Sequence, residues 1–140
     1  MIINIKKVDD YAKLPEYAHQ GDAGMDLFAL NEVSVLPGEI AKVSTGVSME
    51  IQEGYVGLVW DKSGLSMSHG IKVLGGVIDS GYRGEIIIGV INLGKEKYTF
   101  EKHHKVAQML IQPVFSLEIK EVNDLSDTSR GIGGFGSTGK

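Results

Sequence analysis

Ala41-Lys42-Val43-Ser44-Thr45-Gly46-Val47-Ser48-Met49-Glu50-Ile51 carries the pattern on which the fold turns. Ala41, Val43, Val47, Met49 and Ile51 share one parity, and Lys42, Ser44, Ser48 and Glu50 share the other. A period of two sends successive side chains to opposite faces, as in a strand with one buried face. The spacing predicts a half-buried strand pair turning near Thr45-Gly46. Downstream, Tyr55 to Trp60 and Glu85 to Leu93 are apolar on both parities and bounded by turn residues, as expected of strands covered on both faces. Such strands belong in a sandwich, a barrel or a subunit interface. Lys105 to Gln112 reads the same way, with Gln108 and Gln112 on one face and in need of partners if buried.

Helical period is scarce, and one short helix is predicted from Gly64 to His69, ended by Gly70. Turn signals recur at Asn31-Glu32, Pro37-Gly38, Glu53-Gly54, Ser80-Gly81 and Gly94-Lys95. The class is therefore all-β, a compact barrel or jelly roll of short strands. The 140 residues suit one domain. Residues 1–125 form its β body, and 126–140, with Gly131, Gly133, Gly134, Gly136 and Gly139, are expected to form a mobile tail.

Lys plus Arg number 14 against 18 Asp plus Glu, so the net charge of -4 argues against a nucleic-acid polymer as partner. The absence of Cys excludes disulfides, thiolate catalysis and thiolate metal sites. Ile86 to Ile91, the longest apolar run, falls far short of the roughly 20 residues that span a bilayer. Met1 to Lys7 alternates instead of forming a basic-then-apolar signal, so no membrane partner and a cytoplasmic location are expected. Glycine, 19 of 140, is about twice its average share of 7%, which implies many tight turns or points of close ligand approach.

Gly134-Phe135-Gly136-Ser137-Thr138-Gly139-Lys140 matches GxxxxGK, but no strand precedes it and no helix follows it in the sequence, as a phosphate-binding P-loop requires. Its composition still suits an anion-wrapping arm: glycine backbone donors, the hydroxyls of Ser137 and Thr138, and the guanidinium of Arg130. The plainer alternative is a solubilising tail, against which stands Phe135, a large ring placed between glycines. Ile78-Asp79-Ser80-Gly81-Tyr82 reads as a hairpin whose two-residue turn would set Asp79 opposite Tyr82 on one side. That pair could be a general base beside an aromatic platform, or an ordinary turn carboxylate beside a packed ring.

Lys62-Ser63-Gly64-Leu65 opens the short helix and could hold an anion, although Ser is also a common helix cap. Asp26 is a charge inside an apolar strand and needs a partner if buried. His103 and His104 are adjacent, so on a strand they would face opposite ways and could not chelate one metal.

In order and spacing these segments resemble the five motifs of the trimeric deoxyuridine triphosphatase (dUTPase) family: Ala23 to Ala29, Lys62 to Leu65, Gly76 to Glu85, Lys102 to Ile111 and Arg130 to Gly139. The resemblance implies a β jelly roll that forms homotrimers with shared active sites. It implies hydrolysis of dUTP to dUMP and pyrophosphate, a reaction that provides dUMP and keeps uracil out of DNA. Mg²⁺ would be held by the triphosphate and water, with no direct protein ligand. By the family pattern Asp79 would activate the water that attacks the α-phosphorus, and Tyr82 would lie against the deoxyribose. The backbone of Gly76, Val77, Ile78 and Asp79 would read the uracil edge. Lys62, Ser63, Gly64 and Gln108 would serve the phosphates, with Asp26 behind them. The tail of a neighbouring subunit would close as a lid, Phe135 stacking on the base, Arg130 reaching the γ-phosphate, and Gly136, Ser137 and Thr138 contributing donors.

Three positions depart from the commoner family pattern. Lys62 replaces an Arg, keeping the charge but losing the planar fork. His103-His104-Lys105 replaces Gly-Asp-Arg, and Val73 stands where some members carry a uracil-binding Asn, so base reading would rely on main-chain groups. The nearest enzyme alternative, a dCTP deaminase of the same fold, needs a Glu where Gly89 stands. A non-catalytic nucleotide-binding member of the fold is the alternative of a different class.

Overall fold

The computed structural model describes residues 2–134, so Phe135, Gly136, Ser137 and Thr138 lie outside the described residues. In chain order the elements are β1 (Asn4–Lys7), β2 (Met25–Phe28), β3 (Val33–Val35), β4 (Ile40–Glu50), β5 (Tyr55–Trp60), α1 (Ser63–His69), β6 (Ile71–Leu74), β7 (Val77–Ile78), β8 (Glu85–Asn92), β9 (Tyr98–Phe100) and β10 (Lys105–Pro113). They form two four-stranded sheets, ordered β1-β4-β8-β6 and β2-β10-β5-β7, and a two-stranded sheet β3-β9. Every pairing is antiparallel. The all-β reading stands.

One core joins the sheets. Val43, Val47, Ile86, Ile88 and Val90 of the first sheet cluster with Leu27, Val59, Ala107 and Met109 of the second, and Val35 and Phe100 come from the third. Each large aliphatic side chain so buried contributes about 1.5–3 kcal/mol relative to an exposed one. Asn92 is the polar knot at one end. Its Nδ2 donates to the carbonyls of Val35 and Glu96 at 2.9 and 2.8 Å, and its Oδ1 accepts from Gly94 N.

The stretch at 41–51 departs from the expected strand pair: β4 is one strand, with a register shift between Ser44 and Ser48. Tertiary contacts fill the irregularity. Thr45 Oγ1 donates to Ile86 O at 2.6 Å, Gly46 N donates to Glu85 Oε1 at 2.8 Å, and Gly46 O accepts from Val8 N at 2.8 Å. Beyond it, β4 keeps β1 as partner from Val47 to Glu50. A bulge and a turn look alike in sequence because both interrupt the alternation.

Within the chain β8 is fully covered on one face, where Ile86, Ile88, Val90 and Asn92 are buried; on the other, Ile87 is 48% exposed and Glu85, Gly89 and Ile91 are half-buried. Strand β10 carries an irregularity between Lys105 and Ala107 that buries Val106 and Ala107 in succession. Gln112 lies exposed and needs no protein partner. The helix begins at Ser63, one residue earlier than expected, and ends on Gly70, whose φ of 71° caps it.

Candidate active site

The sequence-selected residues fall into two groups. The first gathers where β2, β10 and the end of β5 meet. Asp26 lies opposite Gln108 in the β2–β10 ladder, and Gln108 lies opposite Trp60 in the β10–β5 ladder. Ser63 and Gln108 share a cleft of about 490 Å³ with Ala23, Trp60, Asp61 and Met67. Gln108 donates through Nε2 to Asp61 O at 2.9 Å, leaving its oxygen and second amide hydrogen for a ligand. Gly24 makes room for it, since a Cβ there would sit 2.7 Å from Gln108 Oε1.

Asp26 finds the partner its burial demands. Only 2% exposed, it takes Lys62 Nζ on Oδ1, and Lys105 Nζ lies 2.6 Å from Oδ2. Lys105 sits off the hydrogen-bonding direction, and Oδ2 has no other hydrogen-bond partner among the described residues. Burial pushes the Asp26 carboxyl up, but Lys105 and Lys62 outweigh it and hold the group below its ordinary value. Asp26, reinforced by Glu16 and Asp22, pushes the Lys105 ammonium up. Two ammonium groups thus meet on one carboxylate beside Ser63 and Gln108, with Glu16 and Asp22 also acting on Lys105. The ammonium groups of Lys62 and Lys105 are the cationic donors that this corner offers to an anion.

Lys62 occupies the residue before the helix in an extended conformation, with no side-chain cap, and Ser63 is the first helical residue. Ser63 is therefore not the cap that its type suggested. The sequence reading noted Lys105 as part of the His103-His104-Lys105 departure and gave no site role to it or to Asp61. The available signal was the matching of two charged residues, Asp26 and Lys105, in otherwise apolar strands.

The second group surrounds the turn after β7. Tyr82 N donates to Asp79 O at 3.0 Å, closing a four-residue turn. This is not the expected hairpin, because β7 pairs with β5 whereas β8 pairs with β4 and β6. Gly81 is also absent from the glycines with positive φ, so the primed turn that favours a two-residue hairpin is not formed. The turn nevertheless brings the two residues together: Asp79 and Tyr82 line one cleft of about 230 Å³ with Val77, Ile78, Glu85 and Ile87.

Tyr82 is held in place. Its hydroxyl donates to Glu85 O at 3.0 Å, and Gly84 leaves space for it, since a Cβ there would displace the Tyr82 ring. Glu85 is in turn fixed by Gly46 N, so the irregularity in β4 supports the aromatic wall. Arg83 Nη1 braces the turn by donating to Ser80 O at 2.6 Å and Tyr82 O at 2.9 Å. Gly76 N and O lie on the chain leading in, and Val59 N donates to Gly76 O at 2.7 Å.

The two clefts have no lining residue in common. Arg130 joins neither; its Nε donates to Gly133 O at 2.8 Å within a local turn. His103 and His104 are not on a strand. His103 adopts φ 64° in the turn before β10, and its Nε2 lies 2.8 Å from Tyr11 O, while His104 Nε2 is 3.2 Å from Glu101 Oε2. The Val73 side chain is buried in the core.

The sequence matches the dUTPase family model over residues 10–139. The chain belongs to the dUTPase family. All five stretches that resemble dUTPase motifs fall inside the matched residues. A deoxyuridine 5'-triphosphate nucleotidohydrolase from Alkaliphilus metalliredigens (strain QYMF) is 52% identical over 139 residues, which cover 98% of this chain and 96% of that protein. Its counterpart from Clostridium acetobutylicum is 50% identical over the same shares of the two chains. Among solved structures, the dUTPase of Staphylococcus bacteriophage 80alpha with dUPNHPP has a TM-score of 0.94 at 31% identity, with 99% of each chain covered. A mutant dUTPase from phage phi11 of S. aureus, described with a structural Mg(II) ion, has a TM-score of 0.84 at 28% identity over 89% of this chain and 98% of that one.

Proposed function

We propose that this dUTPase-family chain hydrolyses dUTP to dUMP and pyrophosphate by attack of an Asp79-activated water on the α-phosphorus. The observation that carries the reading is the cleft in which an exposed carboxylate, Asp79, stands beside an aromatic wall, Tyr82, whose hydroxyl is tied back to Glu85 O at 3.0 Å. Asp79 takes a proton from water as the new P–O bond forms, and pyrophosphate leaves with the electrons of the α–β bridge. The fixed ring of Tyr82 leaves no room for a 2′-hydroxyl. Uracil is read by the main chain of Gly76, Val77, Ile78 and Asp79; the buried Val73 side chain takes no part.

The triphosphate lies against Lys62, Ser63, Gly64 and Gln108, where the ammonium groups of Lys62 and Lys105 favour it. Among the described residues no group of three or more His, Asp or Glu could hold a metal ion. A single exposed carboxylate and a cationic phosphate site suit a Mg²⁺ that arrives with the triphosphate. Such an ion supplies charge neutralisation on the phosphate oxygens.

The working unit is a homotrimer with shared sites. Two observations support this: the base-bearing and phosphate-binding clefts are separate within one chain, and the segment after β10 exposes Phe115 by 88%, Leu117 by 80% and Ile119 by 97%. Apolar side chains in such a row are ordinarily covered by another chain. Arg130 with Phe135, Gly136, Ser137 and Thr138 then closes over a neighbour's site as a lid. The reaction supplies dUMP and keeps uracil out of DNA, in the cytoplasm.

Separate incubations with dUTP, dCTP, dTTP and UTP in Mg²⁺, with products resolved by chromatography, test the reading. Release of dUMP and pyrophosphate from dUTP alone, by a species sedimenting near the mass of three chains, is the expected result. Turnover of UTP at a comparable rate would overturn the role of Tyr82, and an active monomer would overturn the shared site. Deamination of dCTP is not expected, because no carboxylate stands at Gly89 in β8.

A further inference from the structure

Asp61 lies between the two sheets and makes three connections. Its Oδ1 accepts the backbone N–H of Val73 at 2.6 Å, its Oδ2 pairs with Lys72 Nζ at 2.8 Å, and its carbonyl accepts Gln108 Nε2 at 2.9 Å. Strand β6, which carries Val73, is the edge of its sheet, so the outward N–H of this residue has no strand to receive it. Asp61 follows directly on β5, a strand of the other sheet, and precedes Lys62 and Ser63. One side chain therefore ties the edge of one sheet to the chain leaving the other, at the place where the phosphate-binding residues begin.

We propose that Asp61 is the positioning residue of the triphosphate subsite: it sets the Lys62-Ser63 segment and the Gln108 amide relative to each other. The proposal rests on the assignment of those residues to the triphosphate. The physical reason is the sparse restraint on the segment's entry: Lys62 is held by its side chain on Asp26 and by its carbonyl, which accepts Ser66 N–H at 3.0 Å, and Asp61 supplies the tie before them. No side chain caps α1 at Lys62, and the last β5 residue in the ladder is Trp60, opposite Gln108. Without the carboxylate, the Asp61 backbone loses its anchor to β6, and the Gln108 amide loses a fixed acceptor. Small displacements of positioning groups reduce productive binding steeply. The Lys72 ion pair is the lesser connection, since the Lys72 side chain is 49% exposed.

The test compares KM for dUTP with the inhibition constant for dUMP, which lacks the β- and γ-phosphates. Asp61→Ala is expected to raise KM for dUTP about tenfold while the dUMP constant changes less than about twofold. Asp61→Asn, which keeps an acceptor for Val73 N–H, is expected to recover most of the loss, and Lys72→Met to leave both constants unchanged. A parallel rise in both constants for Asp61→Ala overturns the proposal, since general loosening of the fold would weaken both ligands alike. Asp61→Asn as impaired as Asp61→Ala also overturns it. Ser63→Ala separates this idea from its foundation. A raised KM in Ser63→Ala with none in Asp61→Ala overturns only the role of Asp61, whereas no change in either overturns the phosphate assignment and the role of Asp61 with it.

Discussion

The corner around Asp26 and the Asp79 turn solve opposite problems. At the corner, Asp26 is 2% exposed and holds two lysines, and Gln108 is fixed to Asp61. At the turn, Asp79 is exposed, and the restraints fall on its neighbours: Tyr82 through Glu85 O, and Arg83 through the carbonyls of Ser80 and Tyr82. A buried carboxylate must be paired or it would be protonated. The general base proposed at the turn must instead keep its lone pairs open to water while the scaffold fixes its backbone. Removal of the buried Asp26 charge should therefore alter stability, and removal of the Asp79 charge should alter turnover.

The contrast is tested most strongly at Asp79. Asp79→Asn should lower kcat by about 10²–10⁴ with dUTP binding nearly intact, and should change stability by less than about 0.5 kcal/mol. Rapid-quench turnover and chemical denaturation measure the two; an unchanged kcat would remove Asp79 as the base.

Asp26→Asn should do the reverse at first order, destabilising the fold by about 2 kcal/mol because two lysines lose their common counter-charge. That figure stands below the roughly 3–5 kcal/mol of a fully buried broken pair because Lys62 and Lys105 keep some contact with water. The pH dependence has a definite sign. The folded-state carboxyl lies below its ordinary value of 3.8, so its contribution is complete above that pH and is lost as pH falls through the lower, folded value. The Lys105 ammonium is raised above 10.5, so its contribution is lost only as pH rises through its folded value. The difference in denaturation midpoint between the native chain and Asp26→Asn should thus be constant near neutrality and shrink in acid. A difference that persists unchanged at pH 2 would show that packing, not charge, explains the loss.

The smallest effect is expected at Tyr82. Tyr82→Phe removes the bond to Glu85 O but keeps the ring, so kcat/KM for dUTP should fall only about threefold, with rejection of UTP retained. Loss of that rejection would mean that the hydroxyl, through Glu85 and Gly46, orients the ring more than packing does.

Much of this was legible from local chemistry. The alternation at 41–51, the apolar runs and the turn residues declared an all-β chain, and the charge of Asp26 inside Met25–Phe28 declared that a partner existed. What stayed hidden depended on which strand meets which. The interruption at Thr45-Gly46 could be a turn or a bulge, and the long-range contacts to Ile86, Glu85 and Val8 decided it. Asp79 and Tyr82 were rightly grouped, but as a turn between sheets and not as a hairpin, because β7 and β8 find different partners.

The sequence by itself determined the class of fold and the short helix ended by Gly70, since each follows from side-chain period or local backbone preference. Tertiary structure alone decided that Lys62 and Lys105, 43 positions apart, share one carboxylate, and that Asp61 takes the free edge of β6. Pairing across sheets is a global optimum of burial and hydrogen bonding, and no local window of residues contains it.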